Sequence, residues 1–202
     1  MGMVIDYGTL RQTIARAPAP AVRTPPGYEK DSVCLLLLER TETAVLAIEK
    51  TDSEGYPWRG QVALPGGRID PADQSPADAA LRELREELGI DRSEVEVLGC
   101  LGHFQTATSK NDLEVLVGRW MRPSEVHADA REVARVLEIP LSDLTESHCA
   151  SGFRSQPVSS IGNALVYEVC EAKVWGVTAR ILHHFLELVL DNETTILRRR
   201  PS

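Results

Sequence analysis

A surplus of basic residues is what this chain most plainly lacks. Its 22 Lys and Arg stand against 30 Asp and Glu, a formal net charge of −8. With no cationic excess to neutralise phosphates or an anionic bilayer, nucleic-acid and membrane partners are disfavoured. A polyphosphate substrate would have to be met locally, by metal ions or by individual arginines. Cysteine is sparse too. Cys34, Cys100, Cys149 and Cys170 are scattered and form no Cys-x-x-Cys, so neither a zinc site nor a disulfide framework is suggested. No apolar run is long enough to span a bilayer, and no signal peptide is recognised. Asp6 stands where a myristoylation signal beginning at Met1-Gly2 wants Ser or Thr. A reducing cytoplasm is the expected setting. Internal repeats and low-complexity tracts are missing as well.

What is present suits one ordinary soluble domain: 202 residues, 43% hydrophobic and 26% charged. Tyr7 to Ala17 reads as a short helix, followed by an extended connector from Pro18 to Pro26. Ser32 to Glu39 is an apolar run suited to a buried strand, which Thr41-Glu42-Thr43 turns back into Ala44–Lys50 as a hairpin. Thr51 to Gly60 is a polar loop, and Val62–Leu64 a short strand. Glu94–Phe104 and Asp112–Met121 are further strands joined by a polar loop over residues 105–111. Pro123 to Ala134 reads as an acidic loop with a helical turn, and Val136–Leu141 as a short strand. Residues 145–162 are loop-like, Asn163–Cys170 is another strand, and Val177–Leu190 an amphipathic closing helix. Arg198-Arg199-Arg200 is expected to be a frayed, solvated tail.

The stretch from Gly66 to Ile90 has the clearest punctuation. Ser75 is a good N-cap, Pro76 suits the first helical position, and Asp78 completes a capping-box-like Ser-x-x-Asp. Gly89 ends the helix where a left-handed residue costs glycine nothing. Ala77, Ala80, Leu81, Leu84 and Leu88 form the core stripe. Glu83, Glu86 and Glu87 gather on another face, expected to be exposed, where like charges three and four residues apart repel. A salt-bridged surface helix with Arg82 and Arg85 is one reading. A site for hard divalent cations, which take oxygen ligands, is the other. Gly66-Gly67 favours the second, because two glycines let the backbone turn sharply and approach a ligand.

Those residues resemble the Nudix box: Gly, five residues, Glu, seven residues, then Arg-Glu-U-x-Glu-Glu-x-Gly-U, with U apolar. Arg82 to Ile90 matches the second half at every specified position. In the first half Gln74 takes the place of the glutamate, six residues rather than five after Gly67. The resemblance implies an α+β fold, a Nudix-type α/β/α sandwich with a mixed β-sheet between helices. It implies Glu83, Glu86 and Glu87 as ligands of Mg²⁺ or Mn²⁺, assisted by a backbone oxygen of Gly67, with Arg82 holding Glu83. Either Glu83 or Glu132 would then be the general base, Glu132 being alternatively plain surface charge. On this reading residues 1–30 are a lead-in segment, 31–195 the hydrolase domain with the box at 66–90, and 196–202 a basic tail.

The likeness reaches beyond the box. Gly60–Gly67, Asp70 and Asp73, Leu137–Leu141 and Trp175–Ala179 resemble the coenzyme A pyrophosphatase subgroup. That subgroup carries two upstream arginines where this chain has Thr51 and Tyr56, with Lys50 one residue early. The implied activity is hydrolysis of the diphosphate in a nucleoside diphosphate derivative, coenzyme A or a relative. ADP-ribose or a dinucleotide is the alternative substrate, and a non-catalytic nucleotide sensor the alternative class. Tyr56 and Trp58 are candidates to stack a base, against a role as loop anchors; Arg59 and Lys110 are candidates to contact phosphate, against plain solvation. His103 has a weaker functional claim, and His183-His184 read as packing residues. The implied partner is a small molecule; a homodimer is left open.

Overall fold

The apolar run from Val33 to Leu38 becomes a strand buried on both faces, and the rest of the chain is layered around it. The computed structural model describes residues 2–17, 24, 26–51, 60–107 and 109–199. The connector expected over residues 18–26 therefore lies largely outside the described residues, as do Tyr56, Trp58 and Arg59. In chain order the elements begin with β1 (Met3–Ile5), α1 (Tyr7–Arg16), β2 (Glu29–Glu39), β3 (Thr43–Lys50), β4 (Val62–Ala63) and β5 (Gly66–Arg68). There follow α2 (Pro76–Leu88), β6 (Val95–Gln105), β7 (Asn111–Trp120), β8 (Val133–Pro140), α3 (Leu141–Ala150) and α4 (Val158–Ile161). The chain closes with β9 (Tyr167–Val169), β10 (Ala172–Val174), α5 (Gly176–Asp191), α6 (Glu193–Ile196) and β11 (Leu197–Arg199).

Strands β2 to β8 make one mixed sheet, in which β2 and β7 run parallel and the other pairs antiparallel. Strand alternation gives β2 two apolar faces. Cys34, Leu36 and Leu38 face α2 through Ala80, Leu81, Leu84 and Leu88, while Val33, Leu35 and Leu37 join the core formed with α1 and α5. This is the expected α/β/α sandwich.

One irregularity positions the site. β2 and β3 pair only over Leu36–Glu39 and Thr43–Leu46, and then part. β8 follows β3 from Ala44 to Lys50 along one edge, so β4 must share the other edge with β2. β5 pairs with β2 at Asp31–Val33. The segment from Gln61 to Arg68 thus fills the fork between the two strands, and the paired glycines sit at its mouth.

Three expectations are corrected. Residues 145–162 are not simply loop: α3 runs to Ala150, because Leu141, Leu144, Thr145 and His148 are buried at helical spacing in an otherwise polar stretch. Asn163–Cys170 is not one strand. Only Tyr167–Val169 is strand there, and it forms a short hairpin with β10 that turns on Cys170 and Glu171 at φ 50° and 57°. Such turns favour Asn and Gly, so the turn carried no sequence signal. The basic tail does not fray at Leu197–Arg199, because those residues pair with β1 and Arg198 bonds the Asp6 carboxylate.

A buried polar network ties α3 to α5. His148 places Nδ1 2.9 Å from the Tyr167 hydroxyl and Nε2 2.7 Å from Glu187 Oε1. Glu187 also accepts from Arg154 at 3.1 Å and from the Ser155 N–H at 3.0 Å. Burial raises the Glu187 pKa, but these donors outweigh it and hold the group below its ordinary 4.5. Its contribution to stability is therefore present above about pH 4.5 and lost as pH falls through the depressed native value. Glu187→Gln is expected to cost about 2 kcal/mol at pH 7, with the gap from wild type closing as the pH drops below 4. Urea unfolding at the two pH values measures this; a gap independent of pH contradicts it.

Candidate active site

The box helix forms as its punctuation predicts. The Ser75 side chain accepts from the Asp78 N–H at 3.2 Å, Pro76 opens the helix, and Gly89 ends it at φ 72°. β5 and α2 then bring the paired glycines against the glutamates. At Gly66, φ is 146°, and an added Cβ would lie 2.4 Å from the Ser32 carbonyl oxygen. At Gly67 an added Cβ would lie 2.7 Å from the Glu83 carboxyl carbon. Only glycine allows the backbone this close to both strand and carboxylate. Glu87 Oε2 accepts the Gly66 N–H at 3.0 Å, so the loop and the helix are clamped together by the box residues themselves.

Arg82 organises the exposed side. It donates to Asp73 at 3.2 Å, Glu83 Oε1 at 2.8 Å, Glu86 Oε2 at 3.1 Å and the Arg68 carbonyl at 2.9 Å. The hydrogen bond from Arg82 holds the Asp73 carboxyl below its usual range. Asp73, not Gln74, is therefore the acidic residue that steadies the arginine. With five residues between it and Gly67, Asp73 takes the box position, held there by a turn closed by Asp73 N–H to Asp70 O at 3.0 Å, and the extra residue falls after it.

The three glutamates differ in environment. Glu86 keeps 58% of its side chain exposed, Glu83 keeps 15%, and Glu87 keeps 2%. The expectation of one exposed carboxylate face is thus corrected: Glu87 points inward, where the buried ammonium of Lys50 donates to Oε1. Burial raises the Glu87 pKa against the opposing pull of Lys50 and the Gly66 N–H. Burial likewise raises that of Glu83, against Arg82. Among the described residues, no three His, Cys, Asp or Glu groups converge as a ready metal site. The carboxylates are satisfied by Lys50, Arg82 and backbone instead. Oxygen donors set around a close glycine backbone nonetheless fit a hard cation such as Mg²⁺ or Mn²⁺.

Of the other predicted residues, Glu132 lies nearest. Its Oε2 is 3.9 Å from Lys50 Nζ, and its carbonyl accepts the Thr51 N–H at 3.0 Å. Lys110 is exposed at the tip of the β6–β7 hairpin at φ 54°, its carbonyl accepting the Glu29 N–H. His103 stands 3.4 Å from Asp112, apart from the box. His183 is buried and His184 half-buried on α5, as packing residues would be. Lys50 was the residue sequence reading missed. Its signal was the strand alternation of Ala44, Leu46 and Ile48, which carries the next even position to the α2 face.

Comparison with known proteins agrees with this geometry. The NUDIX domain family model matches residues 29–139. The uncharacterized Nudix hydrolase NudL of Yersinia pestis (strain Pestoides F) is 36% identical over 161 residues, covering 78% of each chain. Its namesake in Photorhabdus laumondii is 35% identical over 133 residues, covering 64% of this chain and 69% of the relative. In fold, the chain resembles the MutT protein of Methanosarcina mazei Go1, with TM-score 0.53, 16% identity and coverage of 87% and 99%. The Nudix hydrolase RenU of M. smegmatis gives TM-score 0.51, 15% identity and coverage of 85% and 90%. The chain belongs to the Nudix hydrolase family. It is a pyrophosphohydrolase of nucleoside diphosphate derivatives, in a family that generally works with divalent cations. Among the described residues, no helix is long and apolar enough to cross a membrane.

Proposed function

We propose that this enzyme hydrolyses the diphosphate of coenzyme A or a close relative, with Mg²⁺ or Mn²⁺ held by Glu83, Glu86, Glu87 and the Gly67 carbonyl. The observation that carries the metal assignment is the clamp of Gly66-Gly67 on Glu83 and Glu87, which sets acidic oxygens beside the backbone at the end of the sheet. Bound there, the cation supplies neutralisation of the phosphoryl oxygens and a more acidic water. The chain's own residues do the rest. Arg82 fixes Glu83 and Glu86. Either Glu132 or Glu83 accepts the proton of the attacking water at a carboxylate oxygen. Water adds to one phosphorus, the bridging P–O bond breaks, and the electron pair leaves with the departing phosphate. For coenzyme A the products are adenosine 3′,5′-bisphosphate and phosphopantetheine.

The substrate reading rests on Gly60–Gly67 and Trp175–Ala179, which resemble coenzyme A pyrophosphatases. The two upstream arginines of that group are replaced by Thr51 and Tyr56. Arginine grips phosphate with a bidentate fork that neither replacement offers. Coenzyme A is therefore expected to be cleaved, with weak discrimination against ADP-ribose-like compounds. Competing coenzyme A and ADP-ribose in one reaction and taking the ratio of kcat/KM tests this. A clear preference for ADP-ribose, or no cleavage of coenzyme A, removes the subgroup reading and leaves the family standing.

A further inference from the structure

The box resemblance leaves the amine at the end of β3 unexplained. Lys50 keeps 7% of its side chain exposed and Glu87 keeps 2%, and the two are directly bonded. Along β3, Ala44, Leu46 and Ile48 enter the apolar layer under α2, and Lys50 follows them where that layer gives way to the glutamates. An ammonium buried there is costly unless a carboxylate answers it. Glu87 Oε1 answers it, while Oε2 is occupied by the Gly66 N–H at 3.0 Å. Arg82 does not play this part: it stands on Glu83 and Glu86 at the half-exposed side of the cluster.

We infer that Lys50 is a built-in cation that competes with the divalent ion for the Glu87 carboxylate, and so sets how tightly that ion is held. This rests on the assignment of Glu87 as a metal ligand. Two cations on one buried carboxylate repel strongly, because little water screens them. The divalent ion reaches Glu87 only as the ammonium loosens. Glu132 Oε2, 3.9 Å from Lys50 Nζ, gives the ammonium a second carboxylate to turn toward. The weakening is thereby finite: the site releases its metal more readily than three free glutamates would.

Mn²⁺ titration by calorimetry, without substrate, tests this on the full chain. Lys50→Met and Lys50→Gln are expected to bind Mn²⁺ about tenfold more tightly than wild type, a modest fraction of a close charge repulsion. Both should melt lower than wild type in EDTA and gain more from added Mn²⁺. Lys50→Arg keeps the charge with a firmer bidentate grip, and should bind Mn²⁺ no more tightly than wild type. The Arg variant keeps the question decidable if the neutral variants do not fold, since tighter Mn²⁺ binding by it overturns the inference. Unchanged or weaker Mn²⁺ binding in the neutral variants also overturns it. Glu87→Gln separates the two levels. If it loses Mn²⁺ while the Lys50 variants gain nothing, only the competition is wrong. If it binds Mn²⁺ as wild type does, the ligand assignment falls and the inference with it.

Discussion

Glu87→Gln is expected to lose hydrolysis by about three orders of magnitude, since a bound cation contributes several kcal/mol of charge stabilisation to phosphoryl transfer. It is also expected to destabilise the protein. An exposed cluster of like charges would gain a few tenths of a kcal/mol from such a change. Glu87 is not exposed, however, and its neutralisation removes the carboxylate charge to which the buried Lys50 ammonium is bonded, with Glu132 Oε2 standing 3.9 Å away. Breaking one side of a buried ion pair costs about 3 kcal/mol, and glutamine's single carbonyl oxygen can accept from Lys50 or from the Gly66 N–H, not from both as the two carboxylate oxygens do. Hydrolysis at limiting Mg²⁺ and thermal melting without added metal measure the two effects separately. Wild-type turnover at limiting Mg²⁺ contradicts the ligand assignment. A rise in melting temperature contradicts the buried pairing.

The second large effect concerns the base. Glu83 is held by Arg82 at 2.8 Å and pressed against Gly67, which suits a ligand more than a group that must receive a proton. Glu132 keeps 55% of its side chain exposed beside the same cluster. Glu132→Gln is therefore expected to lower kcat by roughly 10²–10⁴, the span of general-base catalysis, and to abolish the acidic limb of the pH–rate profile. Its effect on Mn²⁺ affinity should be far smaller than that of Glu87→Gln. Glu83→Gln should instead weaken metal binding and leave the limb in place. An unaltered profile for Glu132→Gln, together with a lost limb for Glu83→Gln, reverses the two roles.

Much of this was legible in local patterns. Ser75, Pro76 and Gly89 mark the ends of α2 because capping involves residues only a few positions apart. The β2–β3 hairpin and α5 were readable for the same reason, each burying its own periodic face. Where a helix carried little apolar contrast, as in α3, or a turn lacked glycine, as at Cys170-Glu171, the local signal was too weak to read. Spacing within the box put Gln74 in the place of its first glutamate, whereas the fold sets the neighbouring Asp73 against Arg82. Spacing alone does not say on which side of an inserted residue a turn closes.

The residue chemistry of the box, Arg82-Glu83-Leu84-Arg85-Glu86-Glu87, identified the family and the kind of reaction without any coordinates. What spacing along the chain cannot express is which of three neighbouring glutamates turns inward. That outcome depends on the fork between β2 and β3, on the loop that fills it, and on a lysine 37 residues away in sequence. Helical periodicity placed Glu83, Glu86 and Glu87 together. The packing of α2 on the sheet gave Glu87 a counter-ion and left Glu86 to solvent, because the cost of burying a charge is offset only where an opposite one meets it.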